Sequence, residues 1–158
     1  MSVVQIPGTP GSGGCDREGA ATATIDFRVY YEDTDASGVV YHVSYLRFLE
    51  RGRSEWLRAL GFSQQALRRE FGVVFTVAEL GLRYFKPARL DDVLTVTTAV
   101  AASRRASLVF RQEARRDDEL IVAASVRVAC VGAGDFRPCA LPAPLLQASR
   151  PGDHGRIG

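Results

Sequence analysis

Ile25, Phe27, Val29 and Tyr31 alternate with Asp26, Arg28 and Tyr30 in the stretch ATIDFRVYYED, the two-residue period of a half-buried β-strand. From Val43 to Leu60 the period changes. Tyr45, Phe48, Leu49, Gly52, Trp56 and Leu60 recur at three- and four-residue spacing, and Leu46 and Leu57 widen the stripe. That pattern predicts a helix of about 27 Å, enclosed on more than one face. Gly61 stands at the position of a left-handed C-cap, Ser63 can cap a second short helix, QQALRREF, and Gly72 can close it. Four β-branched-rich runs follow: VVFTVAELGLRYF, VLTVTTAVAAS, ASLVFRQEARR and ELIVAASVRVACV. The turn KPARLDD and short turns around Arg104–Arg105 and Asp117–Asp118 separate them, which predicts antiparallel neighbours. Gly81 is expected to mark a bulge or bend in its strand.

The order strand, long helix, short helix, four strands predicts an α+β domain in which a curved five-stranded antiparallel sheet wraps around the long helix. Such a sheet leaves a strand edge open, and a homodimer pairing sheets edge to edge is the economical way to cover it. Residues 1–22 are rich in Gly, Pro, Ser and Thr and read as a flexible N-terminal arm; 23–133 hold the domain, and 134–158 a proline-broken C-terminal tail.

The totals narrow the function without choosing it. A chain of 158 residues has room for one domain with a real core. Its 46% hydrophobic and 24% charged residues are those of an ordinary globular protein. The net charge of +2 offers no case for nucleic acid as a partner. Lys86 is the only lysine, an arginine skew that reads as composition bias rather than as a binding signature. Cys15, Cys130 and Cys139 are odd in number and widely spaced, so neither a disulfide framework nor a zinc site is expected, and a reducing compartment is. With no signal-like N-terminal stretch and no apolar run near the ~20 residues of a membrane span, a cytoplasmic location is expected.

The candidate chemistry lies in YYEDTDASGVVYHVSYLRFLERGR, residues 30–53. A helix beginning near His42 offers unsatisfied N–H groups and a partial positive charge, which suit a carbonyl oxygen that becomes an oxyanion. Gly38 leaves room for a close approach, and Asp35 can attack the carbonyl or activate water for the attack. This minimal set suits a thioester: a thiolate leaves with a pKa near ~8.5, so neither a dedicated general acid nor a metal is required. By themselves, however, Asp33 and Asp35 read first as turn-formers or caps. The EDTD cluster lacks the further carboxylates of a calcium loop, and His42, alone at a helix start, reads first as a hydrogen-bonded structural group and only then as a ligand or base. Glu50 is an alternative base or the partner of Arg53, and Arg51 with Glu55 is a surface pair.

The stretch YYEDTDASGVVYHVSYLRFLERGRSEWLR, with YFKPARLDDVLTV, closely resembles the hotdog-fold acyl-CoA thioesterases of the 4-hydroxybenzoyl-CoA thioesterase type, in particular the subgroup associated with the bacterial Tol-Pal system. The likeness covers about Thr24 to Val131. It implies that Asp35 is the catalytic carboxylate and that the N–H at His42, with Tyr41 beside it, polarises the thioester carbonyl. It further implies a site at a subunit interface of a homodimer or homotetramer. Arg104 and Arg105 in their turn, and less directly Arg127, Lys86 or Arg89, would hold the CoA phosphates. Ser37 departs from the Ala or Gly common in relatives. The expected substrates are small to medium acyl-CoA thioesters, with aryl-CoA or acyl groups on acyl carrier protein as alternatives. CoA is then part of the substrate, and no separate cofactor is expected. A non-catalytic module that holds an acyl-pantetheine group is the alternative from another class.

Overall fold

The computed structural model describes residues 22–150. The predicted arm therefore lies outside the described residues, except that Thr22 opens the first strand. The strands are β1 (Thr22–Arg28), β2 (Val73–Tyr84), β3 (Val93–Ser103), β4 (Ser107–Arg116) and β5 (Glu119–Gly132). The helices are α1 (Ser44–Ala59), α2 (Gln64–Phe71) and α3 (Ala143–Ser149). All strand pairs are antiparallel and the sheet order is β1-β3-β4-β5-β2, so β1 and β2 form the two edges.

The alternation read from the sequence sets the inner face of the sheet. Leu94, Val96, Thr98 and Val100 of β3 point inward, as do Leu108, Phe110, Gln112 and Ala114 of β4. Against them α1 lays Phe48, Leu49, Trp56 and Leu57, and the ring of Trp56 meets Phe110 edge-on with centroids 5.0 Å apart. At Gly52 the helix comes so close to the sheet that a Cβ would lie 2.9 Å from Thr98 Oγ1 and Val96 Cγ1. Gln112 ties the layers at this crossing. Its Nε2 donates to Leu49 O and to Thr98 Oγ1, each at 2.8 Å, and its Oε1 accepts from Arg53 Nη1 at 2.9 Å.

The local signals hold at α2. Ser63 Oγ accepts from Ala66 N–H at 3.1 Å, and Gly72 takes the left-handed conformation at φ +65°. Gly61, at φ +88°, does the same after α1.

Three expectations need correction. β1 stops at Arg28, and Tyr31 is 84% exposed instead of continuing the inward row, because Tyr31–Asp33 forms a 3₁₀ turn in which Asp33 N–H donates to Tyr30 O at 3.0 Å. Gly81 marks no bulge: it pairs in regular register with Ser125, and the irregularity of β2 falls between Val77 and Glu79. The region after 133 is more than a proline-broken tail, since Leu141 and Leu145 belong to the hydrophobic core and residues 143–149 form α3. Pro142 at its N-cap and Pro144 in its first turn begin the helix rather than break it.

Candidate active site

The chain before α1 folds into a small hairpin, with Asp35 on its outgoing arm and the start of α1 at the end of its returning arm. Tyr41 N–H donates to Asp33 O at 2.8 Å, Asp35 N–H to Val39 O at 3.0 Å, and Gly38 N–H to Asp35 O at 3.0 Å. The tip requires Gly38 at φ +81°, a conformation glycine adopts without steric cost. The β2–β3 connection holds the hairpin from one side, through Val40 N–H to Ala88 O at 2.8 Å and a bridge between Val39 and Arg89.

The two aspartates are handled differently. Asp33 is buried; its carboxylate accepts from Tyr30 N–H at 2.9 Å and pairs with Arg47 at 3.4 Å. Asp35 is exposed, and its Oδ1 accepts both the Ser37 N–H, at 2.8 Å, and the Ser37 hydroxyl. The hydroxyl first and the N–H second hold the Asp35 carboxyl below the usual carboxylate range; slight desolvation opposes them, and the field of His42 adds to the lowering.

Helical backbone begins at Val43, with φ −78° and ψ −24°. Ser44 N–H donates to Tyr41 O and Leu46 N–H to Val43 O, whereas the amides of His42 and Val43 have no acceptor among the described residues. These are orphan donors of a helix start, where the helix dipole is positive. The position of this tip is set by Tyr84 of β2, whose hydroxyl donates to His42 O at 2.8 Å, and by Tyr45, whose hydroxyl accepts from Ala88 N–H at 3.1 Å. Tyr41 stacks edge-on against His42 at 4.5 Å, and both are exposed.

Asp35, Gly38, Tyr41 and His42 therefore gather in one short hairpin. The predicted phosphate-binding residues do not join them within one chain. Arg104 and Arg105 occupy the β3–β4 turn, at the other end of β3 from the Arg89–Asp92 turn that abuts the hairpin, a distance of roughly 35 Å for a strand of 11 residues. Arg127 is engaged by Glu79 at 3.3 Å on the outer face of the sheet. Lys86 pairs with Glu119 at 3.2 Å, whereas Arg89 makes no ion pair among the described residues. Its bridge to Val39 puts Arg89 at the Asp35 end, a placement that depends on a contact between two loops with no signal in the sequence.

Along α1 the expected pairs also shift. Glu50 accepts from Ser54 Oγ at 2.9 Å and makes no ion pair with Arg53. Glu55 pairs with Arg58 rather than with Arg51. Among the described residues no group of His, Cys, Asp and Glu side chains is arranged to hold a metal ion. No helix there is long and apolar enough to cross a membrane.

A five-stranded antiparallel sheet curled around one long helix, with a carboxylate at the helix mouth, is the hotdog architecture. The likeness to solved structures is close: a probable thioesterase from Bartonella henselae superposes with a TM-score of 0.74 at 36% identity, covering 77% of this chain and 100% of the other. The 4-hydroxybenzoyl-CoA thioesterase from Pseudomonas sp. strain CBS-3 superposes with a TM-score of 0.76 over 80% of this chain and 98% of the other; at 24% identity this likeness bears on the fold alone. Residues 37–123 match the thioesterase superfamily. The acyl-CoA thioesterase YbgC of Haemophilus influenzae is 48% identical over 121 residues, 77% of this chain and 89% of that protein. The chain belongs to the thioesterase superfamily and is a thioester hydrolase.

Proposed function

We propose that the protein hydrolyses acyl-CoA thioesters to a free acid and CoA, with small to medium acyl groups as substrates. The thioester carbonyl lies at the start of α1, where the N–H at His42 takes the developing negative charge. Asp35 attacks the carbonyl carbon or removes a proton from the attacking water. Ser37 keeps the Asp35 carboxyl ionised and turned toward its own loop. The CoA thiolate departs without a general acid. The observation that carries this reading is the short hairpin that links Asp35 to a helix start whose His42 and Val43 amides have no acceptor among the described residues.

In one chain Asp35 is fully open to water, a poor setting for charge stabilisation, so the reading includes a second copy. Edge strand β2 carries exposed Val77, Leu80 and Tyr84, and beside it a groove of about 550 Å³ runs along α1 past Val43, Leu46 and Glu50. A homodimer pairing β2 with β2 would cover both. Arg104 and Arg105 can then serve CoA only from a neighbouring copy, as in a homotetramer, while Arg89 is the phosphate partner within the same chain. The setting is cytoplasmic. Acyl groups on acyl carrier protein and aryl-CoA thioesters are the other substrates to test.

The experiment is hydrolysis of a panel of acyl-CoA thioesters followed with a thiol reagent. Asp35→Asn is expected to lower kcat by about 100-fold or more. Equal rates for the variant and the parent overturn the assignment of Asp35. Tight acyl-CoA binding with no turnover by the parent would favour the non-catalytic module.

A further inference from the structure

Cys130 and Cys139 lie nine positions apart, and nothing in that spacing suggests a pair. The fold sets them face to face. Beyond β5 the chain doubles back through residues 132–137, with Gly132 N–H donating to Arg137 O at 2.9 Å and Phe136 N–H to Gly132 O at 3.0 Å. Val131 then bridges Pro138, and Cys139 N–H donates to Cys130 O at 2.9 Å, which makes the two cysteines cross-strand neighbours. Their sulfurs are 3.7 Å apart. A disulfide needs Cα atoms about 4.4–6.8 Å apart, and hydrogen-bonded opposite residues in an antiparallel pair sit about 5.5 Å apart. Closing the bond therefore asks for side-chain adjustment and leaves the backbone pairing in place.

We propose that Cys130 and Cys139 are a reversible intrachain disulfide site, closed by a low-molecular-weight disulfide of the oxidised-glutathione class and opened by thiols. The two cysteines enter differently. Cys139 is partly exposed and meets the oxidant first, whereas Cys130 is buried, paired with Phe75 of β2 and bonded through its N–H to Ala106 in the β3–β4 turn. The Cys139 thiolate attacks one sulfur of the oxidant, forms a mixed disulfide and releases one thiolate. The Cys130 thiolate then attacks Cys139 Sγ, the protein disulfide forms, and a second thiolate leaves. Two protein thiols are oxidised by two electrons, one oxidant disulfide is reduced to two thiols, and the protons pass to solvent. Burial, with help from the neighbouring Cys139, pushes the Cys130 thiol up to about 12. The burial that raises the Cys130 thiol persists in the mixed disulfide, so the second step is slow near neutrality and accelerates as the pH rises and the thiolate fraction grows. A bond of this kind that forms only under oxidising conditions also accords with a reducing compartment.

The staple has a structural consequence. Leu141 N–H donates to Arg105 O at 2.8 Å and Cys130 N–H to Ala106 O at 2.8 Å. The segment carrying Cys139 thus lies between the β3–β4 turn and α3, whose Leu145 is fully buried. Oxidation fixes that segment to β5 and holds the turn and the helix more firmly in place.

The test uses the full chain with Cys15→Ser, since Cys15 lies outside the described residues and could otherwise supply a third thiol. Incubation with oxidised glutathione at about pH 9, carried to equilibrium, is expected to yield a chain lighter by two hydrogens, with no glutathione attached and neither thiol open to alkylation. After cleavage at Phe136 the two halves should remain joined until dithiothreitol is added. Cys130→Ser should instead retain a glutathione on Cys139, and Cys139→Ser should remain unmodified at Cys130. Oxidation should raise Tm by several degrees, reversibly. A parent that stays fully reduced, or stops as the Cys139 mixed disulfide with Cys130 still reduced, overturns the proposal. The mass readout is independent of turnover, so this result and the hydrolase assignment succeed or fail separately.

Discussion

Asp33 turns its carboxylate inward to Tyr30 N–H and Arg47, while Asp35, two positions on, holds only its own loop and faces water. The chain cannot exchange these roles, because the hairpin pairs Asp33 O with Tyr41 N–H and places Asp35 nearer the glycine tip. Replacement of each should give a different phenotype. Asp33→Ala removes the buried carboxylate that accepts from Tyr30 N–H and pairs with Arg47, and should cost about 1–3 kcal/mol in urea unfolding. Ser37→Ala should leave the fold intact and change the pH profile. The Ser37 hydroxyl lowers the Asp35 pKa, so its loss must raise that pKa, and the acid limb of kcat/KM should move to higher pH. An unmoved limb would show that the Ser37 hydroxyl does not set this ionisation.

At the scale of elements, α1 is held by what it lacks as much as by what it buries. Gly52 lets the helix approach β3 until Thr98 and Val96 fill the space of a side chain. Gly52→Ala should cost about 1–3 kcal/mol by overpacking despite the better helix propensity of alanine, lowering Tm in calorimetry. Ser63→Ala should cost α2 about 1 kcal/mol through the lost cap. Periodicity predicted the buried row of α1, and Gly52 already stood in it, because burial on a helix follows its 3.6-residue period, whereas the side of α1 that carries Leu46 and Glu50 lies open. α3 was missed for the opposite reason. Seven residues with two prolines nearby make too short a pattern, and its place in the core depends on a turn between β3 and β4 that is distant in sequence.

For the whole molecule the open feature is the edge at β2, where apolar side chains meet water beside the groove along α1. A long uncovered edge with such residues invites strand pairing. Leu80→Glu should weaken self-association in light scattering and lower activity with it, since the proposed site needs a second copy. If the variant is a fully active monomer, the β2 interface and the shared site are both wrong. If the proposed homodimer forms, the apparent Tm of the parent should also rise with protein concentration, by mass action.

The sequence by itself determined the α+β order, the inward rows of the strands and the caps at Gly61, Ser63 and Gly72. Each rests on neighbours a few positions apart, whose preferences are local. Only the tertiary structure decided that Arg104 and Arg105 lie a sheet length from Asp35, that Arg89 lies near it, that Gln112 rather than Glu50 meets Arg53, and that Cys130 faces Cys139. Those are contacts between segments far apart along the chain or across a reversing loop, and they follow from strand register and loop path, which side-chain periodicity does not encode.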